Sequence, residues 1–282
     1  MQAEQWFGLF ELFMGRLVHN IGATMKIPLQ VDIQDGIASV LINHPPVNAI
    51  TPAMLDALMS TLRQLGNDPD IKAIVIGSAI PGRYCGGLDL PQFRKNSPAE
   101  AHAIITRLYL QLHELQSSLP KPTIAAITGA VRGGGMSIAI TCDMLVAAEN
   151  TTFAYPEMDV GLLPAIHYTH LPRIVGRYRA FDLLFTGRVF SADEAMQLGL
   201  VNRVVPEPQV LNEARGIARA LATKSPQLMR VGKAAFVHAT DNGYRSGAAG
   251  AVNLIGTVIG MDDSQEGLAA FEQKRRPVWG KG

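Results

Sequence analysis

The sequence predicts an α/β fold that ends in a helical C-terminal region. Short apolar runs alternate with helix-spaced segments from Ile27 to about residue 176. Beyond that point helical patterns dominate, and only 201–205 reads as a short strand. Of the 282 residues, 48% are apolar and 17% charged, which suits a sizeable core and excludes a disordered chain.

Taken in order, Ile27, Leu29, Val31 and Ile33 alternate with other residues, as on a half-buried strand. Gln34-Asp35-Gly36 is a turn signal, so 37–43 is expected to pair back as a hairpin. Thr51 then offers a helix N-cap and Pro52 fits the first helical position. Met54, Leu55, Leu58, Met59, Leu62 and Leu65 follow on one helical face. Apolar strands are expected over 71–78, 123–128 and 143–148, with a helix over 99–119 between the first two. Helices are expected over 179–186, 192–198, 208–223, 226–238, 243–260 and 265–273. The uncharged run 246–261 contains Asn253 and four glycines. It is shorter than the ~20 apolar residues of a membrane helix, and reads as a buried helix packed through small residues.

This divides the chain into an N-terminal extension (1–24), an α/β core (25–200) and a helical region (201–282). The extension crowds Trp6, Phe7, Leu9, Phe10, Phe13, Leu17 and Val18 together. Glu4 and Glu11 precede its only Lys or Arg, Arg16, which fits neither a secretory signal nor a transit peptide. It reads as an extension from an upstream start, with the body beginning at Met25, or as an amphipathic helix. Twenty-five basic and 24 acidic residues leave a formal charge of +1, which gives no global attraction for nucleic acid or acidic lipid. Cys85 and Cys142 are too few for a disulfide scaffold; they fit a reducing compartment, and a cytoplasmic location is expected.

Three segments could carry chemistry. Arg83-Tyr84-Cys85-Gly86-Gly87-Leu88-Asp89-Leu90 follows an apolar strand, and its glycines permit close backbone approaches. A glycine pair after a strand is more often a plain turn. Gly133-Gly134-Gly135 opens a helical stretch, where free N–H groups can face an anion. It matches neither a dinucleotide fingerprint nor a P-loop, and Gly135-Met136-Ser137-Ile138-Ala139 only approaches a nucleophile elbow. Phe153 to Pro164 carries Glu157 and Asp159 in apolar company. By themselves they read as a locally paired and a solvated acid, yet apolar surroundings raise a carboxyl pKa toward that of a general base. His167 and His170 share one helix face, but a third metal ligand is not evident, so they read as packing or pocket-lining residues.

In this order and spacing, these segments resemble the enoyl-CoA hydratase/isomerase (crotonase) family. Pro45-Pro46-Val47-Asn48-Ala49-Ile50, Lys121-Pro122-Thr123-Ile124-Ala125-Ala126, Cys142-Asp143 and Thr186-Gly187-Arg188 belong to the same likeness, which runs from about Ile27 to the end. The resemblance implies a crotonase-like spiral of ββα units followed by a helical oligomerisation region, assembled as a trimer or dimer of trimers. It implies an acyl-CoA thioester substrate whose enolate is held by the backbone N–H groups of Gly86 and Gly134. Gly86, Gly87, Leu88 and Asp89 would run beside the CoA, and Lys274 or Arg275 would reach that of a neighbour. No metal or redox cofactor is implied, CoA being part of the substrate.

The resemblance makes Glu157 the proton-transfer base. Hydratases of the family carry a second glutamate where this chain has Ser137, and a serine can hold water but cannot act as a base near neutrality. A lone carboxylate resembles the Δ3,Δ2-enoyl-CoA isomerases, so isomerase or atypical hydratase is expected. Two alternatives stand beside this: a non-catalytic acyl-CoA-binding relative, and a serine hydrolase using Ser137 with Asp159 and His238.

Overall fold

The computed structural model describes residues 28–240 and 243–279; the aromatic-rich extension 1–24 lies outside the described residues. Strands β1 (Leu29–Gln34) and β2 (Ile37–Ile42) form the expected antiparallel hairpin. They start a six-stranded sheet in the order β1-β2-β3-β5-β7-β10, which is parallel from β2 onward. Its other members are β3 (Ala73–Ser78), β5 (Thr123–Ile127), β7 (Met144–Ala148) and β10 (Arg203–Val205). Strand β1 is an edge strand with only Leu29 buried: Val31 and Ile33 are 46% and 51% exposed. The alternation predicted the strand correctly and overstated its burial.

A second sheet was not foreseen. Strands β4 (Arg83–Cys85), β6 (Ala130–Arg132) and β8 (Thr152–Ala154) pair in parallel, and β9 (Phe190–Ser191) closes the sheet antiparallel. Each three-residue strand follows a long strand of the first sheet, so the chain winds through both sheets turn after turn. This is the spiral of strand pairs and helices expected above. The chain leaves β4, β6 and β8 at Gly86, Gly133 and Tyr155, which brings the three candidate segments to one end of the sheet. Carboxyl ends of parallel strands are where open α/β sheets bind ligands.

Helix α1 (Pro52–Asn67) begins as predicted: Thr51 Oγ1 accepts from Met54 N at 3.2 Å. Met54, Leu55, Leu58 and Leu62 are fully buried in the main core. Each such side chain contributes about 1.5–3 kcal/mol by leaving water. Helix α9 (Val210–Ala222) covers the opposite face of the large sheet with Val210, Ala214, Ile217 and Ala218. The long α11 (Tyr244–Val258) buries Ala248, Ala251, Val252 and Ile255. A methyl at Gly247 would stand 2.6 Å from Thr169 Oγ1, the close packing through small residues that the sequence implied. Among the described residues no helix is long and apolar enough to cross a membrane.

The C-terminal helices are tied to the body by ions as well as by packing. On α10 (Pro226–Thr240) the buried Lys233 donates to Asp143 Oδ2 at 2.7 Å and to the carbonyls of Lys121 and Gln116 at 3.0 and 3.1 Å. Asp143 Oδ2 also accepts from Thr123 N and Oγ1 at 2.7 and 2.8 Å. Removing one member of such a pair strands the other. Lys233→Met is therefore expected to lower unfolding free energy by about 3 kcal/mol in urea titration; a midpoint equal to wild type would refute this account of how α10 is held.

Candidate active site

The glycine segment after β6 turns sharply. Gly133 has φ 46° and donates to Ala154 O at 3.1 Å, joining this turn to the end of β8. Its bare α-carbon faces the Glu157 carboxyl: a Cβ there would stand 3.0 Å from Glu157 Oε1. Helix α5 (Gly134–Ile140) starts at the next residue. Glu157 itself sits on a 3₁₀ turn, Pro156–Val160, closed by a left-handed Gly161. The C-terminal helix α12 (Asp262–Glu272) backs this turn so closely that a methyl on Gly161 would meet Ser264 Cα at 2.7 Å.

These segments enclose a cavity of about 490 Å³. Ile105, Leu108, Val160, Leu162 and Ile255 supply apolar walls, and Gly86–Asp89, Arg132–Gly134 and Glu157 supply polar groups. Phe271 closes it from α12, so helices beyond residue 201 help shape the site. Leu108 and Tyr109 both reach the cavity because a π-helical stretch, Arg107–Gln111, widens and underwinds the helix there.

Glu157 is half-buried as a residue, yet its Oε2 is sealed from solvent with no hydrogen-bond partner among the described residues. Burial pushes its carboxyl from 4.5 up to about 7, only partly offset by its own backbone N–H. A carboxyl so placed exchanges a proton near neutral pH.

The backbone donors differ from expectation. Gly86 N–H is already used: it donates to Val47 O at 2.8 Å. The buried Asn48 sets up this contact by donating to Ser78 Oγ at 2.8 Å and Tyr84 O at 2.9 Å, clamping its loop to β4. Leu88 N–H and Gly134 N–H have no acceptor among the described residues. They flank one space, since a Cβ on Gly134 would lie 3.7 Å from Leu88 N. Leu88 N–H is the open amide that the sequence reading did not single out; Gly86 and Asp89 N–H are engaged because this loop pairs with 47–50.

Other candidates fall away from the cavity or into supporting roles. Asp89 lines it but accepts from Gln92 N at 3.1 Å as the N-cap of α2 (Leu90–Lys95). Ser137 is 2% exposed, does not line the cavity, and its Oγ has no hydrogen-bond partner among the described residues. Asp159 is exposed and lies against Gly187, with Oδ2 3.2 Å from where a Cβ would be. His238 is exposed on α10. Arg275 pairs within the chain with Glu266, at 2.5 and 2.8 Å. Burial pushes both cysteine thiols up to about 12, which makes them poor nucleophiles. Among the described residues no group of His, Cys, Asp and Glu is placed to hold a metal ion.

Residues 32–282 match the family model for enoyl-CoA hydratase/isomerase. The chain is 34% identical over 262 residues to the human enoyl-CoA hydratase domain-containing protein 2, mitochondrial, covering 91% of this chain and 89% of that protein. It is 32% identical to a probable enoyl-CoA hydratase of Bacillus subtilis, over 88% of this chain and 97% of the relative. Among solved structures, an enoyl-CoA hydratase from Mycobacterium avium subsp. paratuberculosis superposes with a TM-score of 0.79 at 26% identity, covering 90% of this chain and 99% of that one. The human mitochondrial delta3-delta2-enoyl-CoA isomerase gives the same TM-score and identity, over 88% and 97%.

The raised carboxyl has a stability consequence with a definite sign. Between pH 4.5 and about 7 the folded chain keeps the Glu157 proton that the unfolded chain releases, so stability falls as pH rises through this window. The full effect is about 3 kcal/mol. Glu157→Gln is expected to match wild type at pH 4 and to exceed its stability by about that amount at pH 8. Urea unfolding at both pH values checks this, and an equal gap at the two would contradict it.

Proposed function

Because the chain belongs to the enoyl-CoA hydratase/isomerase family, we propose that it is an acyl-CoA enzyme that works through a thioester enolate, with Glu157 as its single proton-transfer base. One observation carries the reading. A carboxyl whose Oε2 is sealed and unpartnered among the described residues shares an otherwise largely apolar cavity with two backbone N–H groups that have no acceptor there. The thioester oxygen accepts from Leu88 N–H and Gly134 N–H, while Glu157 removes the α-proton. Each donor aimed at the developing oxyanion contributes about 3 kcal/mol to the transition state.

Within this chemistry the residues favour isomerisation, in which Glu157 returns the proton at the γ-carbon. Water addition needs a second group to hold and activate water. Ser137 is off the cavity wall and has no base on its hydroxyl, which also speaks against a serine hydrolase built on Ser137, Asp159 and His238. An atypical hydratase and a binding-only relative remain as outcomes of the assay below.

The protein is further proposed to assemble as a homotrimer or dimer of trimers. Phe181 and Phe185 are 59% and 42% exposed, stack at 4.1 Å, and offer an apolar face that a second copy would cover. Sedimentation as a monomer at micromolar concentration would exclude this. Two buried free thiols suit a reducing compartment such as the cytoplasm.

Ultraviolet absorbance of the conjugated enoyl thioester tests the function. Absorbance gained from 3-enoyl-CoA is expected, and Glu157→Gln should reduce the rate by about 10²–10⁴. Loss of absorbance from trans-2-enoyl-CoA would instead identify a hydratase. Tight acyl-CoA binding with silence on both substrates would favour the binding-only relative. Turnover unchanged by Glu157→Gln would refute the base assignment.

A further inference from the structure

His167 and His170 lie one turn apart on helix α6 (His167–Val175), which follows the Glu157 turn. Both rings are buried, and neither lines the cavity. Their inner nitrogens, His167 Nδ1 and His170 Nε2, are 3.4 Å apart. Their outer nitrogens, His167 Nε2 and His170 Nδ1, are sealed with no hydrogen-bond partner among the described residues. Buried polar atoms are nearly always partnered, and two such ends on one bonded pair need an explanation that packing does not give.

The two ends face different surroundings. At the first, the Gly133 carbonyl acts on the His167 ring without meeting hydrogen-bond geometry. Gly133 is the residue whose α-carbon meets the Glu157 carboxyl. Tyr155, whose hydroxyl is likewise sealed and unpartnered, stands 4.5 Å from His167 between ring centres and feels the Glu157 charge. At the second end the Ile166 carbonyl acts on the His170 ring, again without meeting hydrogen-bond geometry, and His170 also feels the charges of His113, a half-buried residue of α4 (Leu112–Ser118), and of Arg173. The imidazole pair thus has one end beside the Gly133 turn of the candidate site and the other within range of the half-buried His113.

We propose that His167 and His170 form a buried proton relay that exchanges the proton held by Glu157 with solvent by way of His113; this rests on the reading of Glu157 as the base. The contact between the rings admits the tautomer with Nδ1 protonated on both. A proton from the Glu157 carboxyl, carried by an enclosed water, enters at His167 Nε2. The Nδ1 proton of His167 passes to His170 Nε2, and the Nδ1 proton of His170 passes through a second enclosed water to His113, which gives it to solvent; the reverse path returns a solvent proton to Glu157 and restores both rings. Each ring gains one proton and loses one, so neither imidazole has to hold a charge. That matters here, because burial pushes both rings away from the charged form, His170 down to about 3.

The test is deuterium wash-in at the α-carbon of butanoyl-CoA, followed by proton NMR in D2O, with butanoyl-CoA affinity measured in parallel. This saturated thioester can enolise but has no double bond to hydrate or shift. Wild type is expected to exchange and Glu157→Gln to lose exchange. His170→Leu should exchange at least tenfold more slowly at unchanged affinity. His113→Ala, a change at a half-buried position that keeps the core intact, should also slow exchange and recover it in proportion to added imidazole. Wild-type exchange in both histidine variants would overturn the relay and leave the Glu157 reading standing. Should His170→Leu fail to fold, His113→Ala decides alone, and its wild-type exchange overturns the relay. Exchange that survives Glu157→Gln, or a wild type that binds butanoyl-CoA without exchange, would overturn the base assignment and the relay with it.

Discussion

The site depends on the approach of the Glu157 carboxyl to the bare α-carbon of Gly133. That contact is possible only where a residue lacks a side chain and can hold φ 46°. It fixes three things together. Gly133 bonds to Ala154 at the end of β8, Gly134 N–H is left free at the start of α5, and the carboxyl is closed off from water. A methyl at this position would push the acid away and twist the helix start that carries the neighbouring N–H. Base and donor are therefore set by one turn of backbone, and neither can move without the other.

Sealing a carboxylate opposes folding, and the rest of the chain offsets that cost. The 3₁₀ turn that carries Glu157 is backed by α12, where Gly267 meets Gly161 so closely that a methyl would stand 2.6 Å from its backbone nitrogen. Ile255 and Phe271 close the cavity from the same C-terminal helices. Those helices are in turn fastened by packing and, for α12, by the ion pair of Glu272 with Arg94 of α2, far in sequence from the carboxyl they confine. The helical region thus does more than extend the fold. It supplies the dry wall that holds the pKa of Glu157 near neutrality.

How much of this could be read from the sequence follows from what each feature leaves there. The long strands and α1 left a full period of apolar residues, together with Thr51 and Pro52 at the helix start, and were predicted close to where they stand. Strands β4, β6 and β8 have three residues each, too few for any period, so the second sheet was invisible although the glycines at its ends were not. The resemblance singled out Gly86, whose N–H is engaged, while Leu88 N–H two residues on is open among the described residues. Which amide is free depends on Val47 O, a partner delivered by the Asn48 clamp from a distant loop, and no local pattern records that pairing. His167 and His170 looked like packing residues; their burial agrees, but only coordinates show that both outer nitrogens lack partners.

Position 137 links these observations. Where two carboxylates share one site, like charges resist ionising together, and each pKa depends on the other's state. With Ser137 at this position, the elevation of Glu157 comes from burial rather than from a neighbouring charge. The two causes differ in consequence. An acid raised by a like charge falls back when its neighbour is protonated, whereas one raised by burial keeps its value as long as the walls stay closed. In the proposed reading this suits a base that must take a proton and give it back at another carbon, since the same pKa serves both steps.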